Sequence, residues 1–442
     1  MTHADKVARL TEALRTEGDA TPIGLAKDTS NLFRDRAHVP KRRLDVRGLN
    51  EVLAVDAAAG WVEAEGMVTF ERLVDACLSQ GVMPAVVPEL KSITLGGAAA
   101  GVGIEASSFR YGLVHETLLE LEVLLPDGQV VTATPENDYA DLFLGFPNSY
   151  GTLGYALKLR ARAVPVRPYV HLTHTCFRDA EDCLRALARR CEGNADFLEG
   201  VVFGPDELVI TEGRFVAAAP YTNDYTFERI YYRSLRERGE DYLTVREFIW
   251  RWDTDWFWCS RNLGMQNPLI RRLAGRKRLN SVFYTRLMRW NSRWGLTRRL
   301  DRLLGLHRES VIQDVDIPID RAPEFLAFLL REIGILPVWL CPIRPQGRRY
   351  TLYPMDPGSL YVNFGFWDVV RRRQPFPPGH HNRLIERKVT ELGGIKSLYS
   401  ESYYPEDEFW RIYDGEAYRR LKVRYDPQGR LQDLYQKCVL RH

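Results

Sequence analysis

The residues from Pro88 to Ser108 carry the most suggestive chemistry in the chain. Gly96, Gly97, Gly101 and Gly103 fall within eight residues, and Ser107 and Ser108 close the stretch. Glycine admits positive φ and close backbone approach. A run of exposed amides there can cradle an anion such as a pyrophosphate, with serine hydroxyls as added donors. The spacing is not that of a dinucleotide-binding turn: no third glycine follows Gly103 in register, and the segment does not open a first β-α-β unit. It also lacks the Gly-Lys-Ser/Thr of a nucleotide-phosphate loop. Read alone, the run serves equally as a structural loop.

Metal and thiol chemistry have little to work with. The seven cysteines include no Cys-x-x-Cys pair, which argues against a zinc ribbon or a thioredoxin-type site. An odd, scattered set fits buried thiols in a reducing compartment. His171 and His174 stand three apart in a strand-like run, which points them to opposite faces.

The glycine-rich segment sits among short strands. Leu53–Asp56 and Trp61–Glu65 read as a hairpin, and Thr69 to Ser79 as a helix with Thr69 as its cap. Strands are expected at Leu119–Leu125 and Gln129–Ala133, around the turn Pro126-Asp-Gly128, and at Leu153–Val164. Pro165 to Pro168 reads as a linker. Beyond it strands restart at 171–176, 201–203 and 208–212, with a helix over Ala180–Cys191. Further strands are expected at 339–343 and 360–366, then a helix over 382–392 and a helical tail. This order suggests an α+β protein.

At 442 residues, with 45% hydrophobic and 27% charged residues, the chain has ample material for a core. The net charge of +3 does not mark a nucleic-acid binder. Charge is unevenly placed: residues 225–308 hold 19 Lys and Arg against 8 Asp and Glu, and six of the ten tryptophans. Trp250, Trp252, Trp256, Trp258, Trp290 and Trp294 beside so many arginines suit a membrane interface. They suit equally a helical insertion packed on the core. The start, MTHADKVARL, has no signal-peptide apolar stretch. No run approaches the ~20 apolar residues of a membrane span. The expected location is cytoplasmic, in association with the inner face of the cell membrane.

Upstream of the glycines lies Gly24-Leu-Ala-Lys-Asp-Thr-Ser-Asn-Leu-Phe33; downstream come Arg110-Tyr-Gly-Leu-Val-His115 and Gly151-Thr-Leu-Gly-Tyr155. In order and spacing residues 20–168 resemble the FAD domain of the vanillyl-alcohol oxidase, or PCMH-type, flavoproteins. Val87-Pro-Glu-Leu90, Gly103-Ile-Glu105, Trp339-Leu-Cys-Pro342, Glu408-Phe-Trp410 and Tyr413-Asp-Gly415 extend the resemblance to the Δ24-sterol reductase branch. The resemblance implies an α+β fold: a two-subdomain FAD-binding domain over residues 1–168, then an α+β substrate (cap) domain over 169–442 with a helical insertion at about 225–308. It implies FAD, held by Thr29, Ser30 and Asn31 of the first loop, and by Pro88, Thr94, Gly96, Gly97, Gly101, Gly103, Ser107, Ser108, Tyr111 and Gly112. Gly151, Leu153, Gly154 and Tyr155 would line the flavin. No histidine matches an attachment site in the first loop, so the FAD is expected to be non-covalent.

The branch implies reduction of an unactivated carbon–carbon double bond in a lipid, with NADPH as electron donor. The lipid could be a sterol side chain or an unsaturated or methylene-bearing phospholipid acyl chain. Such an alkene needs a hydride at one carbon and a proton at the other. Glu401, Tyr403 and Glu408 are the candidate donors, since a carboxyl in an apolar pocket becomes an acid at neutral pH. Surface Tyr and Glu on a strand explain them equally. Arg344 could bind a substrate carboxylate or a nicotinamide-cofactor phosphate, or form a structural ion pair. The expected partners are a lipid, and a methyltransferase or electron-donor protein; no metal and no nucleic acid are expected. The alternatives are a flavin-dependent oxidase or dehydrogenase of an alcohol or sugar, and a non-enzymatic membrane-peripheral binding protein.

Overall fold

Alternating apolar residues build the first sheet. In the computed structural model, which describes residues 1–15, 21–30, 32–34 and 40–441, a short parallel pair comes first, β1 (Ile23–Ala26) with β2 (Arg42–Asp45). The strands β3 (Val52–Asp56), β4 (Trp61–Glu65), β5 (Val82–Pro84), β6 (Leu118–Leu124), β7 (Val130–Ala133) and β8 (Tyr155–Pro165) form a six-stranded antiparallel sheet. Its order is β3-β4-β8-β6-β7, with β5 also on β8. β8 buries Tyr155, Leu157, Leu159 and Ala161 on alternate positions and leaves Lys158 and Arg160 half-buried. The helix Phe70–Leu78 buries Phe70, Leu73, Val74 and Cys77 at helical spacing, and Thr69 accepts the Arg72 amide at its start.

The second sheet has eight antiparallel strands: β9 (Tyr169–Phe177), β10 (Phe197–Gly204), β11 (Glu207–Val216), β12 (Glu240–Thr244), β13 (His307–Pro318), β14 (Val338–Ile343), β15 (Tyr361–Arg372) and β16 (Ile395–Lys396). The order is β12-β9-β11-β10-β14-β15-β13-β16. Both faces of its centre are buried. Val202, Ile210, Leu340 and Phe364 pack with the helices Ala180–Arg190, Ala322–Phe328 and His380–Glu391. Val201, Val209, Trp339 and Cys341, one residue away in each strand, pack toward the first sheet and the insertion. The C-terminal helices return to the first sheet. The Tyr425 hydroxyl donates to Asp141 (2.6 Å), and Lys437 donates to the Tyr150 carbonyl (2.6 Å).

Some elements differ from the sequence expectation. Leu95–Ala100, inside the glycine-rich stretch, is a helix, because Thr94 caps it and three alanines continue it. β13 occupies residues for which no strand was expected; its polar Gln313, Asp314 and Asp316 hide the strand's apolar character. Glu401–Tyr404 is irregular and not a strand. Residues 225–308 contain β12 and only short helices up to Arg278. Trp250, Trp252, Trp256 and Trp258 are buried, so the membrane-interface expectation does not apply to them. Trp252 instead stacks on Phe257 (4.9 Å) and meets the edges of Tyr231 and Trp258.

One buried ion cluster ties these parts together. Arg251, from the insertion, reaches Glu89 (2.7 Å), Glu105 (3.0 Å) and, on β10, Glu199 (2.9 Å). Glu199 also accepts the indole N–H groups of Trp252 (3.0 Å) and Trp339 (2.9 Å). Burial raises the Glu89 carboxyl well above its usual range and raises Glu105, against the opposing pull of Arg251. Removing one partner of a buried pair strands the other charges at a cost of about 3–5 kcal/mol. Arg251→Met is therefore expected to lose about that much stability in urea unfolding. An unchanged midpoint and slope would refute a structural role for the cluster.

Candidate active site

The loops singled out by their glycines converge on one cavity of about 1200 Å³. Thr29, Ser30, Pro88, Thr94, Gly96, Gly97, Gly101, Gly103, Gly151, Gly154 and Tyr155 all line it. Asn31 lies outside the described residues. Ser107, Ser108, Tyr111, Gly112 and Leu153 are not in the lining and support the walls from behind. The Ser107 hydroxyl donates to the Ala85 carbonyl (2.8 Å), the Ser108 hydroxyl accepts the Glu105 amide (3.1 Å), and Arg162 lies over the Tyr111 ring. Leu153 is core.

Each glycine of the run has its own task. The Gly96 amide donates to the Gly66 carbonyl (2.9 Å), and a Cβ on Gly96 would lie 2.7 Å from that oxygen. Gly96 therefore serves close packing of the helix Leu95–Ala100 on the sheet. The Gly97 amide donates to the Thr94 hydroxyl (3.1 Å), yet Gly97 itself is exposed toward the cavity. The N–H groups at the start of the helix are thus engaged internally, unlike the open cradle expected there. The amides of Val102, Gly103 and Ile104, farther along the same wall, have no partner among the described residues.

Cations gather at the cavity from both ends of the chain. Lys27, Arg34, Lys41 and Lys437 line it. Arg34 is buried; one nitrogen donates to the Leu398 carbonyl, while Nε and Nη2 have no partner among the described residues. The Lys437 amine is pushed down to about 7, first by burial and then by Arg34, Lys41 and Lys27. A bound anion offsets this repulsion, so the site fits the diphosphate of FAD.

Other walls are aromatic. Phe33 lies 5.7 Å from Trp256 and edge-on to Tyr399 at 5.9 Å. Phe257 lies 4.4 Å from Trp367 and 5.5 Å from Trp339. Beside Tyr399 and Trp367 stands Asp314, pushed up to about 7 by burial, while these two neighbours act to lower it. Alternation along β13 explains the placement. Ser310, Ile312 and Asp314 face the cavity, and Val311, Val315 and Ile317 face the helices.

Of the candidate proton donors, only Glu401 lines the cavity. It accepts the Tyr403 hydroxyl (2.6 Å) and pairs with Arg441 (3.4 Å), so Tyr403 stands behind it. Glu408 pairs with Arg411 (3.9 Å) in a helix outside the lining. Arg344 pairs with Glu192, also outside, as a structural ion pair. His115 is buried away from the lining, its imidazole pushed down to about 3 by burial. No group of metal-ligating side chains occurs among the described residues. Sequence reasoning missed Arg34, Lys437, Asp314, Trp367 and Tyr399. The signal for Asp314 and Asp316 was a pair of acids inside an otherwise apolar alternating run.

The FAD binding domain family matches residues 3–134. The Delta(24)-sterol reductase of Mus musculus is 28% identical over 404 residues, covering 88% of this chain and 76% of that protein. The Arabidopsis thaliana Delta(24)-sterol reductase is 26% identical, covering 89% and 76%. Cytokinin dehydrogenase 6 of Oryza sativa is 26% identical, covering 84% and 72%. If the exposed Gly97 borders the diphosphate, Gly97→Val should weaken FAD binding by at least about tenfold. The check is titration of apoprotein with FAD, followed by flavin fluorescence; equal affinity would remove Gly97 from the site. With its glycine loops, its cations and these relatives, the chain is an FAD-dependent oxidoreductase related to the Delta(24)-sterol reductases.

Proposed function

We propose that the protein saturates a double bond in a lipid, an unsaturated or methylene-bearing phospholipid acyl chain or a sterol side chain, with NADPH as the source of electrons. The observation that supports this most is the aromatic wall of Trp256, Phe257, Trp339 and Trp367 in the same cavity as the cofactor loops. An apolar chain packs there without leaving polar groups unpaired. Bound FAD supplies the hydride. Charge that develops on the second carbon meets aromatic faces, which attract cations. Leu287, Met288 and Trp290 extend the cavity wall into the insertion.

The same insertion provides a membrane-facing surface, but not through its buried tryptophans. In the helix Pro268–Ala274, Leu269 is 68% exposed and Leu273 75%, and Ile270 is also exposed. Arg276, Lys277 and Arg278 follow directly. Apolar side chains beside a run of cations suit an anionic bilayer. The half-exposed Trp290 joins such a surface to the cavity wall; the side chain of Trp294 lies outside the described residues. No helix among the described residues is long and apolar enough to cross a membrane, so contact is peripheral in this reading.

Two measurements test these statements. The visible spectrum of the holoprotein, recorded without oxygen, should show flavin that bleaches on addition of NADPH and recovers on addition of unsaturated lipid. Flavin bleached by an alcohol and indifferent to NADPH would instead support a dehydrogenase, the activity named for the cytokinin relative. Replacing Leu269 and Leu273 together by Asp should weaken binding to phosphatidylglycerol vesicles by at least about tenfold, since each buried leucine contributes about 2 kcal/mol. Equal vesicle binding would place the membrane surface elsewhere.

A further inference from the structure

Reduction of an isolated alkene needs a proton donor in the cavity, and the acids there are not equivalent. Glu401 is committed to Tyr403 and Arg441. Asp368 is paired with Arg261 (2.5 Å), and Glu89 with Arg251 (2.7 Å). Asp314 differs: no salt bridge engages it among the described residues, and its uncharged neighbours Tyr399 and Trp367 line the same cavity. The Trp367 indole N–H donates to the Tyr399 hydroxyl at 2.9 Å. Gly365, opposite Asp314 in the β13–β15 register, makes the arrangement possible. A Cβ there would lie 2.8 Å from an Asp314 carboxylate oxygen and 2.6 Å from the Trp367 ring.

We propose that Tyr399, backed by Asp314, delivers the proton to the alkene; the inference rests on the lipid-reductase reading above. A phenol oxygen accepts two hydrogen bonds and donates one. When Asp314 is protonated, the Tyr399 oxygen accepts from Asp314 and from Trp367, and its own O–H is left to point into the cavity. The π bond of the alkene breaks as two C–H bonds form. One takes hydride from the reduced flavin, which is thereby oxidised and is reloaded by NADPH. The other takes the Tyr399 proton, and the Asp314 proton moves to the phenolate oxygen. Asp314 regains its proton from water through the cavity.

The arrangement also has a pH sense. Once Asp314 ionises it accepts the Tyr399 O–H, and the donor turns away from the cavity. The groups facing Asp314 are Asp316 on its own strand, Tyr399 and Trp367; Tyr150 is the titratable group on the first-sheet side, with Arg34 over its ring at 4.8 Å. Asp316 raises Asp314 and Tyr399 lowers it; burial dominates and sets the change near 7. The acid form is the active one, so lipid turnover should fall as pH rises through about 7.

The test is anaerobic stopped-flow on the holoprotein. The probes are phosphatidylglycerol vesicles bearing unsaturated or methylene-branched acyl chains, or doped with a Δ24-unsaturated sterol. Tyr399→Phe and Asp314→Asn should be reduced by NADPH at the wild-type rate. Reoxidation by lipid should slow by about 100-fold or more in Tyr399→Phe, the usual scale for losing a general acid. In Asp314→Asn the fall of rate above pH 7 should disappear. Independently of turnover, infrared spectra of the wild type should show a protonated carboxyl that titrates near pH 7 and is absent from Asp314→Asn. If no lipid reoxidises the wild-type flavin, the function reading fails and this inference with it. If Tyr399→Phe reoxidises as fast as wild type, or the titrating carboxyl survives in Asp314→Asn, only the proton-delivery role is overturned.

Discussion

A guanidinium with no access to water must be surrounded by acceptors, and Arg251 is such a group. Its carboxylate acceptors come from two places: Glu89 and Glu105 from the glycine-rich segment, Glu199 from the centre of the second sheet. The cost of leaving any of these charges unpaired in the interior is several kcal/mol. The insertion, the cofactor segment and the sheet are therefore held in one arrangement. That arrangement sets the cavity. Glu89 and its neighbour Pro88 form part of the lining, and Glu199 fixes the indole of Trp339, which is another part. One cation among three carboxylates is also unbalanced, which is why burial raises Glu89 and Glu105 toward their neutral forms.

The cavity walls divide by chemistry. Arg34, Lys27, Lys41 and Lys437 create a positive potential in a region of low dielectric, where a lone lysine is poorly stabilised. An anion there is attracted by all four. The aromatic walls hold few charges, and the acid facing them has uncharged partners. A cofactor with a charged diphosphate and a flat ring system matches both kinds of wall at once. In the proposed reading, an apolar chain beside the ring would find surfaces that exclude water and tolerate positive charge on carbon.

Much of this framework was legible in the sequence because it rests on short-range patterns. Short apolar runs marked β4, β6, β8 and β14, and a threonine before an apolar repeat marked the helix Phe70–Leu78. The glycine segments singled out in sequence contribute most of their residues to one cavity. What was not legible depends on tertiary placement. Gly96 and Gly97 look alike in sequence, but one packs against Gly66 and the other faces the cavity. Trp252 and Trp258 sit in a basic segment that reads as surface, yet both are fully buried. Lys437 is one of many lysines until the last helix folds back on Tyr150.

The second sheet shows why the acids that matter were hard to see. A strand buried on both faces normally reads as a continuous apolar run. β13 departs from that pattern because its even-numbered residues face a cavity rather than a core. Ser310, Ile312 and Asp314 line that cavity, and Asp316, next on the same face, is bonded to Tyr353 (2.7 Å) and Asn363 (2.7 Å). Two carboxyls two residues apart thus have different duties: one is locked into structural bonds, and the other is left beside a phenol and an indole. The glycine at 365 decides which is which. Only a residue without a side chain leaves room for the Asp314 carboxyl and the Trp367 ring to meet across the strand pair. The arrangement of acid, phenol and indole is therefore a property of two paired strands, and neither strand reveals it alone.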